Sequence, residues 1–141
     1  MDDVLRVVLV FFGLFYLVAS ASAFRAVAMD SLLTNAIAAL AAKAPVPDRA
    51  ERFRHRWIIV SALLIGGGAV SLVMLLATAP WLLAAATTAS LAYICILAPR
   101  FVDPIDPPVE GGRQKSFLQT ATIGAVALLA FAAEQRGVLV P

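Results

Sequence analysis

The sequence has few charged residues for its length. Of its 141 residues only 14% are charged, whereas 62% are hydrophobic and the mean hydropathy is +0.91. Soluble domains carry about 25% charged residues. Because so few charges cannot cover a water-facing surface of this size, we expect lipid to solvate much of the chain. The length favours a single domain over residues 1–141.

Cysteine and histidine occur once each, which excludes several kinds of site. Cys95 alone excludes an intramolecular disulfide framework and a metal centre built from several cysteines of one chain. His55 alone excludes haem held by two histidines of one chain, and among arginines we expect it to be an interfacial side chain. The net charge of +2 is too small to favour nucleic acid. The sequence therefore predicts no metal site, no cofactor and no nucleic-acid partner.

Long apolar runs dominate what is present. A hydrocarbon core about 30 Å thick needs about 20 apolar helical residues. Asp2 and Asp3 oppose the positive start of a signal peptide, so we expect the first run to be retained as a span. The sequence predicts an all-α membrane protein, a four-transmembrane-helix bundle. Its spans cover approximately residues 4–24, 57–77, 80–98 and 117–133.

The linkers between the spans differ in character. The first, residues 25–56, predicts an amphipathic interfacial helix after the first span, or alternatively a bent continuation of that span. A minimal linker ending in Pro80 joins the second and third spans into a tight hairpin. The third linker, residues 99–116, is rich in proline and glycine, which predicts an extended segment. The apolar positions that suggest the interfacial helix are Met29, Leu32, Leu33, Ala36, Ile37 and Leu40.

The basic residues predict an orientation. Nine of the eleven Lys and Arg residues lie in the two long linkers, 25–56 and 99–116, so both linkers are expected to be cytoplasmic. We expect the protein to lie in the cytoplasmic (inner) membrane of a bacterium, with both chain termini on the outer side of that membrane. Trp57 and Trp81 stand at opposite ends of the second span and its hairpin, as interface anchors.

Small residues mark the predicted helix contacts. Gly66 to Gly68 lie within an apolar run, where a phosphate-binding loop would be too costly to desolvate. Small residues instead let helix backbones approach closely in lipid. A hinge, or an unwound turn that binds a ligand, is the alternative. We expect Gly67→Leu to disrupt assembly more than any single loop change. The predicted packing residues are Ala62, Gly66, Gly67, Gly68, Ser71, Ala85, Ala89 and Gly124.

Charged residues at the ends of the spans suggest surface contacts. The arginines before the second span are predicted to contact anionic lipid headgroups, or else an acidic protein patch or a soluble anion. Asp103, Asp106 and Glu110 of the third linker are expected to lie near these arginines, with a hard-cation site as the alternative. The predicted lipid or anion contacts are Arg49, Arg52, Arg54 and Arg56.

The interior of the predicted spans bears on function. No span carries a charge well inside it, whereas ion-coupled transporters keep an ionisable residue there. No catalytic residues are predicted. We therefore expect a non-catalytic accessory, assembly or scaffold subunit, bound to the lipid bilayer and to itself or a larger membrane complex. The alternatives are a small oligomeric channel or transporter, and a membrane enzyme with an anionic cosubstrate at Arg49 to Arg56.

Two four-span families bear on these alternatives. Small multidrug exporters depend on a Glu within the first span, and residues 4–24 contain none. The stretch RAERFRHRW faintly resembles the basic first loop of the membrane-associated glutathione and eicosanoid enzymes. Residues Ile58 to Ser61 stand where that family has Asn and Glu, and the third linker is longer. We assign the sequence to neither family.

Overall fold

The computed structural model describes residues 2–41, 49–105 and 107–140. These residues are 86% helical and contain no strand, as the sequence predicts. Four of their helices are long and apolar enough to cross a membrane, which fits a multi-pass membrane protein. The elements are α1 (Asp2–Ala41), α2 (Arg49–Val73), α3 (Ala79–Ala92) with a π-helical continuation (Tyr93–Val102), and α4 (Gly112–Gln135).

Helix α1 is much longer than a bilayer requires. Its 40 residues run unbroken from Asp2 to Ala41, a length of about 60 Å against a hydrocarbon core of about 30 Å. The residues after the first predicted span therefore continue α1, which corrects the prediction of a separate helix there. The junction Arg25 to Ala28 holds no Gly or Pro, and alanine favours helix most strongly.

Helix α3 passes through a proline. The sequence predicts an end at residue 98, but the helix continues in π-helical form to Val102. Pro99 has no N–H, and in a regular α-helix its ring clashes with the carbonyl four residues earlier. The wider π-helical turn bonds five residues back, as where the Asp103 N–H donates to the Ala98 oxygen at 2.9 Å. The extended linker is thus shorter than predicted, because α4 also begins early, at Gly112.

Helix α2 ends at Val73, four residues before the predicted end, in a left-handed cap. Leu75 has a φ of 55°, and the Leu76 N–H donates to the Ser71 oxygen at 2.8 Å. This is a Schellman motif, in which the left-handed residue is usually glycine. Helix α4 ends in the same motif with Gly137, whose φ is 69°.

The two helix caps are joined to each other. The Ala77 N–H donates to the Val140 oxygen at 2.8 Å, and the Val140 N–H donates to the Leu75 oxygen at 2.7 Å. Val138 and Leu139, between the α4 cap and this pairing, are buried. The segment after α4 therefore holds the α2–α3 turn in place.

The bundle has apolar residues both inside and outside. Helix α1 packs mainly on α2, while α3 packs on both α2 and α4. Leu9, Leu72 and Leu83 are fully buried at these contacts, whereas Phe11 and Leu128 are exposed. A helix that is apolar all round suits a lipid environment, because its outward face then meets hydrocarbon.

Candidate functional site

The three consecutive glycines of α2 have different neighbours. A Cβ on Gly66 would lie 2.8 Å from Ser20 Oγ in α1, and a Cβ on Gly68 would lie 2.8 Å from Leu83 Cδ2 in α3. A Cβ on Gly67 would lie 3.7 Å from its nearest neighbour in α3, which is an ordinary contact. Gly66 and Gly68 therefore permit two separate close approaches, one on each side of α2.

Other predicted packing residues lie at helix contacts as well. Ala62 is buried, and its carbonyl oxygen accepts a hydrogen bond from Ser20 Oγ at 2.6 Å. Ser71 is buried and accepts from Thr78 Oγ1 at 3.2 Å. These polar contacts tie α1 and the α2–α3 turn to the body of α2.

The predicted small residues of α3 and α4 are less uniform. A Cβ on Gly124 of α4 would lie 3.2 Å from Thr87 Cγ2 in α3. Ala85 is exposed and Ala89 is only half-buried. The buried face of α3 carries Leu83 and Ala86 instead. Within this chain the buried face of α3 is thus formed by other residues, and packing by Ala85 and Ala89 stays a prediction.

Gly13 of α1 is a close contact that the sequence analysis missed. A Cβ there would lie 2.8 Å from Val73 Cγ2 and 3.0 Å from the Ala69 carbonyl oxygen. The residues four positions away are Leu9 and Leu17, so no pair of small residues draws attention to it. The available signal was an isolated glycine in an apolar helical run.

A pair of polar side chains links the C-terminal half of α1 to the start of α2. His55 Nε2 lies 2.9 Å from Asp30 Oδ2, and both side chains are partly exposed. Glu51 lies one turn before His55, and one ligand atom from each of the three residues lies within 4.8 Å of the others. Carboxylate and imidazole are ligand types that divalent cations accept. The sequence did not indicate this cluster, because its members come from distant positions.

Two of the four predicted lipid-contacting arginines line cavities, and the two cavities differ. All four, Arg49, Arg52, Arg54 and Arg56, are exposed. Arg52 and Arg56 are one turn apart and share a side of α2. Arg49 and Arg54 line two different cavities. We call the end of the bundle that holds them, together with Arg100 and Arg113, the basic end.

The smaller cavity at the basic end surrounds an ion pair. It has a volume of about 210 Å³, and Arg54, Tyr93 and Asp103 are among the residues that line it. Asp103 pairs with Arg113 at the start of α4. Both residues belong to the predicted third linker, residues 99–116. Arg54 lines the same cavity, while Glu110 is exposed. Asp106, the remaining acidic residue of the prediction, lies outside the described residues.

The larger cavity, which we call the Arg49–Arg100 cavity, has a volume of about 450 Å³. It opens between the start of α2 and the end of the π-helical segment. Its lining combines two arginines with apolar and aromatic side chains. The lining residues are Arg49, Phe53, Arg100, Phe101, Pro104 and Ile105.

Aromatic contacts fix the helices around these cavities. Trp57 stacks on Tyr93 with ring centroids 4.9 Å apart and planes 6° apart. Phe53 lies 6.0 Å from Phe101, measured between ring centroids. At the opposite end of the bundle, Trp81 is exposed and meets Phe131 edge-on. The two tryptophans thus lie at opposite ends of the α2–α3 pair, and their role as membrane anchors stays a prediction.

Hydroxyl groups within the spans are mostly bonded locally. Thr87 Oγ1 donates to the Leu83 oxygen at 2.8 Å, and Thr120 Oγ1 donates to the Ser116 oxygen at 2.9 Å. Within the described residues, the Tyr16 hydroxyl and Ser61 Oγ are buried side-chain atoms without a hydrogen-bond partner. Local bonding of this kind satisfies a hydroxyl without giving it a chemical role.

Comparison with protein-family models, with curated proteins and with solved structures finds no match for this chain. A functional proposal therefore rests on the contacts, cavities and exposed surfaces of the chain itself.

Proposed function

We propose that this chain is a non-catalytic accessory or assembly subunit of a bacterial cytoplasmic membrane, docked to a helix of a larger membrane complex. One observation carries the proposal: α1 continues past the length that a bilayer covers, and its continuation exposes an apolar face. Leu32, Leu33, Ile37 and Leu40 are 68%, 64%, 58% and 88% exposed. We call these four residues the α1 extension face.

The chemistry of the α1 extension favours a protein partner over the membrane surface. Helices that lie on a membrane carry Lys or Arg on their polar face. From Ala26 to Ala41 the single charged residue is Asp30, a carboxylate. A helix lying in the membrane plane would also need a sharp bend after the span, and residues Arg25 to Ala28 contain neither the Pro nor the Gly at which helices commonly kink.

The free energy gained by burying the α1 extension face also favours a protein partner. Burying one large aliphatic side chain contributes roughly 1.5–3 kcal/mol. The α1 extension face presents four such side chains at helical spacing, which is the pattern by which one amphipathic helix recognises another. A partner helix along this face removes from water a surface that the chain itself leaves uncovered.

The basic end supports a cytoplasmic placement of the α1 extension. The α1–α2 and α3–α4 connections lie at that end, and the α2–α3 turn lies at the other. From the positive-inside bias we infer that both long linkers are cytoplasmic and that the regions before α1 and after α4 are outside. Contact of the exposed Arg49, Arg52, Arg54 and Arg56 with anionic headgroups is part of the same proposal.

The test is extraction in lipid nanodiscs of the wild-type chain and of two matched variants. Leu33→Ser with Ile37→Ser alters the α1 extension face, and Thr34→Ser with Asn35→Ser alters the opposite side. We expect a stoichiometric partner to remain with the wild type and the control, and its affinity for the face variant to fall at least about a hundredfold. An unchanged complex with the face variant contradicts the proposal. So does a pure homo-oligomer that conducts ions or solutes in liposomes.

A further inference from the structure

The Arg49–Arg100 cavity combines basic lining residues with aromatic and apolar ones. Arg49 and Phe53 come from one side of α2, being four residues apart. Arg100 and Phe101 come from the π-helical segment, directly after Pro99. The cavity therefore places two guanidinium groups from different elements beside an aromatic wall.

The aromatic contacts hold this arrangement in place. The rings of Phe53 and Phe101 lie 6.0 Å apart between centroids, and Phe53 also stacks near Tyr93 at 6.4 Å. These contacts fix the start of α2 against the end of the π-helical segment. The packed rings thus hold the helical segments that carry Arg49 and Arg100 close to each other.

The apolar part of the cavity lining is about half exposed. Phe101 is 52% exposed and Ile105 is 53% exposed. The last residue of the third candidate span is Val102, so these side chains lie at the level where a span ends. A small soluble anion has no group that covers an exposed phenyl ring and an aliphatic chain. A phospholipid has a phosphate for the arginines and an acyl chain that can cover these apolar side chains.

We propose that the Arg49–Arg100 cavity binds the phosphate of an anionic phospholipid, with the first part of an acyl chain against Phe101 and Ile105. Guanidinium groups match phosphate oxygens in pairs, which gives geometry as well as charge. This site rests on the headgroup contact proposed above for Arg49, to which it adds Arg100 and an acyl-chain contact, and it does not depend on a partner at the α1 extension face.

The experiment titrates detergent-solubilised protein with dioctanoyl phosphatidylglycerol, dioctanoyl phosphatidylcholine or glycerol 3-phosphate, with binding followed by native mass spectrometry. We expect phosphatidylglycerol to bind best. The variants are Arg49→Gln, Arg100→Gln and the double change. We expect a loss of about fivefold for each arginine and about 25-fold for both.

The matched control is Arg25→Gln with Lys115→Gln, which removes the same charge from two exposed positions that do not line the cavity. We expect its phosphatidylglycerol affinity to stay within about twofold of wild type. Phe101→Ala should weaken phosphatidylglycerol and leave glycerol 3-phosphate unchanged. Equal losses in the control and in the double cavity variant overturn the site. If glycerol 3-phosphate binds as tightly as phosphatidylglycerol, the proposal of a lipid ligand is wrong and the cavity binds a soluble anion. Far-UV circular dichroism checks that each variant is folded.

Discussion

Gly13 of α1 lies directly against the backbone of Ala69 in α2. A Cβ at position 13 would lie 3.0 Å from the Ala69 carbonyl oxygen. A backbone atom within a helix cannot move aside as a side-chain end can, so the separation of α1 and α2 depends on this glycine. Farther along the same helix pair, Ser20 donates to the Ala62 oxygen at 2.6 Å. The two contacts set the register of α1 on α2.

Gly13→Ala should therefore destabilise the bundle. Overpacking of a well-packed contact costs about 1–3 kcal/mol, and the gain in helix propensity offsets about 1 kcal/mol of it. Gly67→Ala is the matched control, because its Cβ would meet only an ordinary contact at 3.7 Å. Unfolding in detergent, followed by circular dichroism, measures both. A Gly13→Ala variant as stable as Gly67→Ala contradicts the close contact.

Gly137 should be sensitive to substitution for a different reason. Its φ of 69° is left-handed, and the space around its Cα is open. An L side chain in that conformation costs about 1 kcal/mol, so Gly137→Ala should lower the melting temperature in detergent. Gly112→Ala is the control, because Gly112 also has open space but lacks a positive φ. Equal melting temperatures for the two variants argue against the left-handed cap of α4.

Asp103 should couple energetically to Arg113 rather than to Arg52 or Arg56. The Asp103–Arg113 pair joins the end of the π-helical segment to the start of α4 and is partly exposed. We expect a coupling free energy of about 0.5 kcal/mol in a double-mutant cycle, since exposed ion pairs contribute little. The cycle compares Asp103→Asn and Arg113→Gln, each alone and together, by chemical unfolding. The same cycle with Arg56→Gln serves as the control, and coupling there instead would show that Asp103 has a different partner.

Cysteine labelling tests the proposed orientation. In a Cys95→Ser background, Arg136→Cys marks the end of the bundle near the α2–α3 turn, and Glu110→Cys marks the basic end. Both positions are exposed. We expect a membrane-impermeant maleimide added to intact cells to label position 136, and to label position 110 only after permeabilisation. The reverse pattern refutes the cytoplasmic placement of the basic end and leaves the fold untouched.

The four apolar helices could be predicted from the sequence because hydropathy acts over whole segments. The continuity of α1 could not, because an interfacial helix and an extended span share the same spacing at Leu33, Ile37 and Leu40. The prediction that α3 ends at residue 98, before Pro99, was wrong for a related reason. Proline normally ends a helix, and a π-helical turn that accommodates it depends on tertiary packing that the local sequence does not display.

The candidate sites were harder to predict, because they depend on helix register. Asp30 and His55 are separated by much of the first linker, and they meet where α1 continues past the predicted span and packs on α2. Arg100 lines the same cavity as Arg49, and it belongs to the π-helical segment that continues α3 past the predicted end at residue 98. The arginines were visible as a basic stretch, but how they divide between two cavities was not.

The pairing of Val140 with Leu75 has a consequence for the order in which the bundle assembles. The turn between α2 and α3 completes its hydrogen bonds with a residue that the ribosome reaches only after all of α3 and α4. During synthesis the α2–α3 turn therefore lacks these two hydrogen bonds until residue 140 has been added. The arrival of α4 closes it, so deletion of residues 138–140 would loosen a connection that was translated long before them.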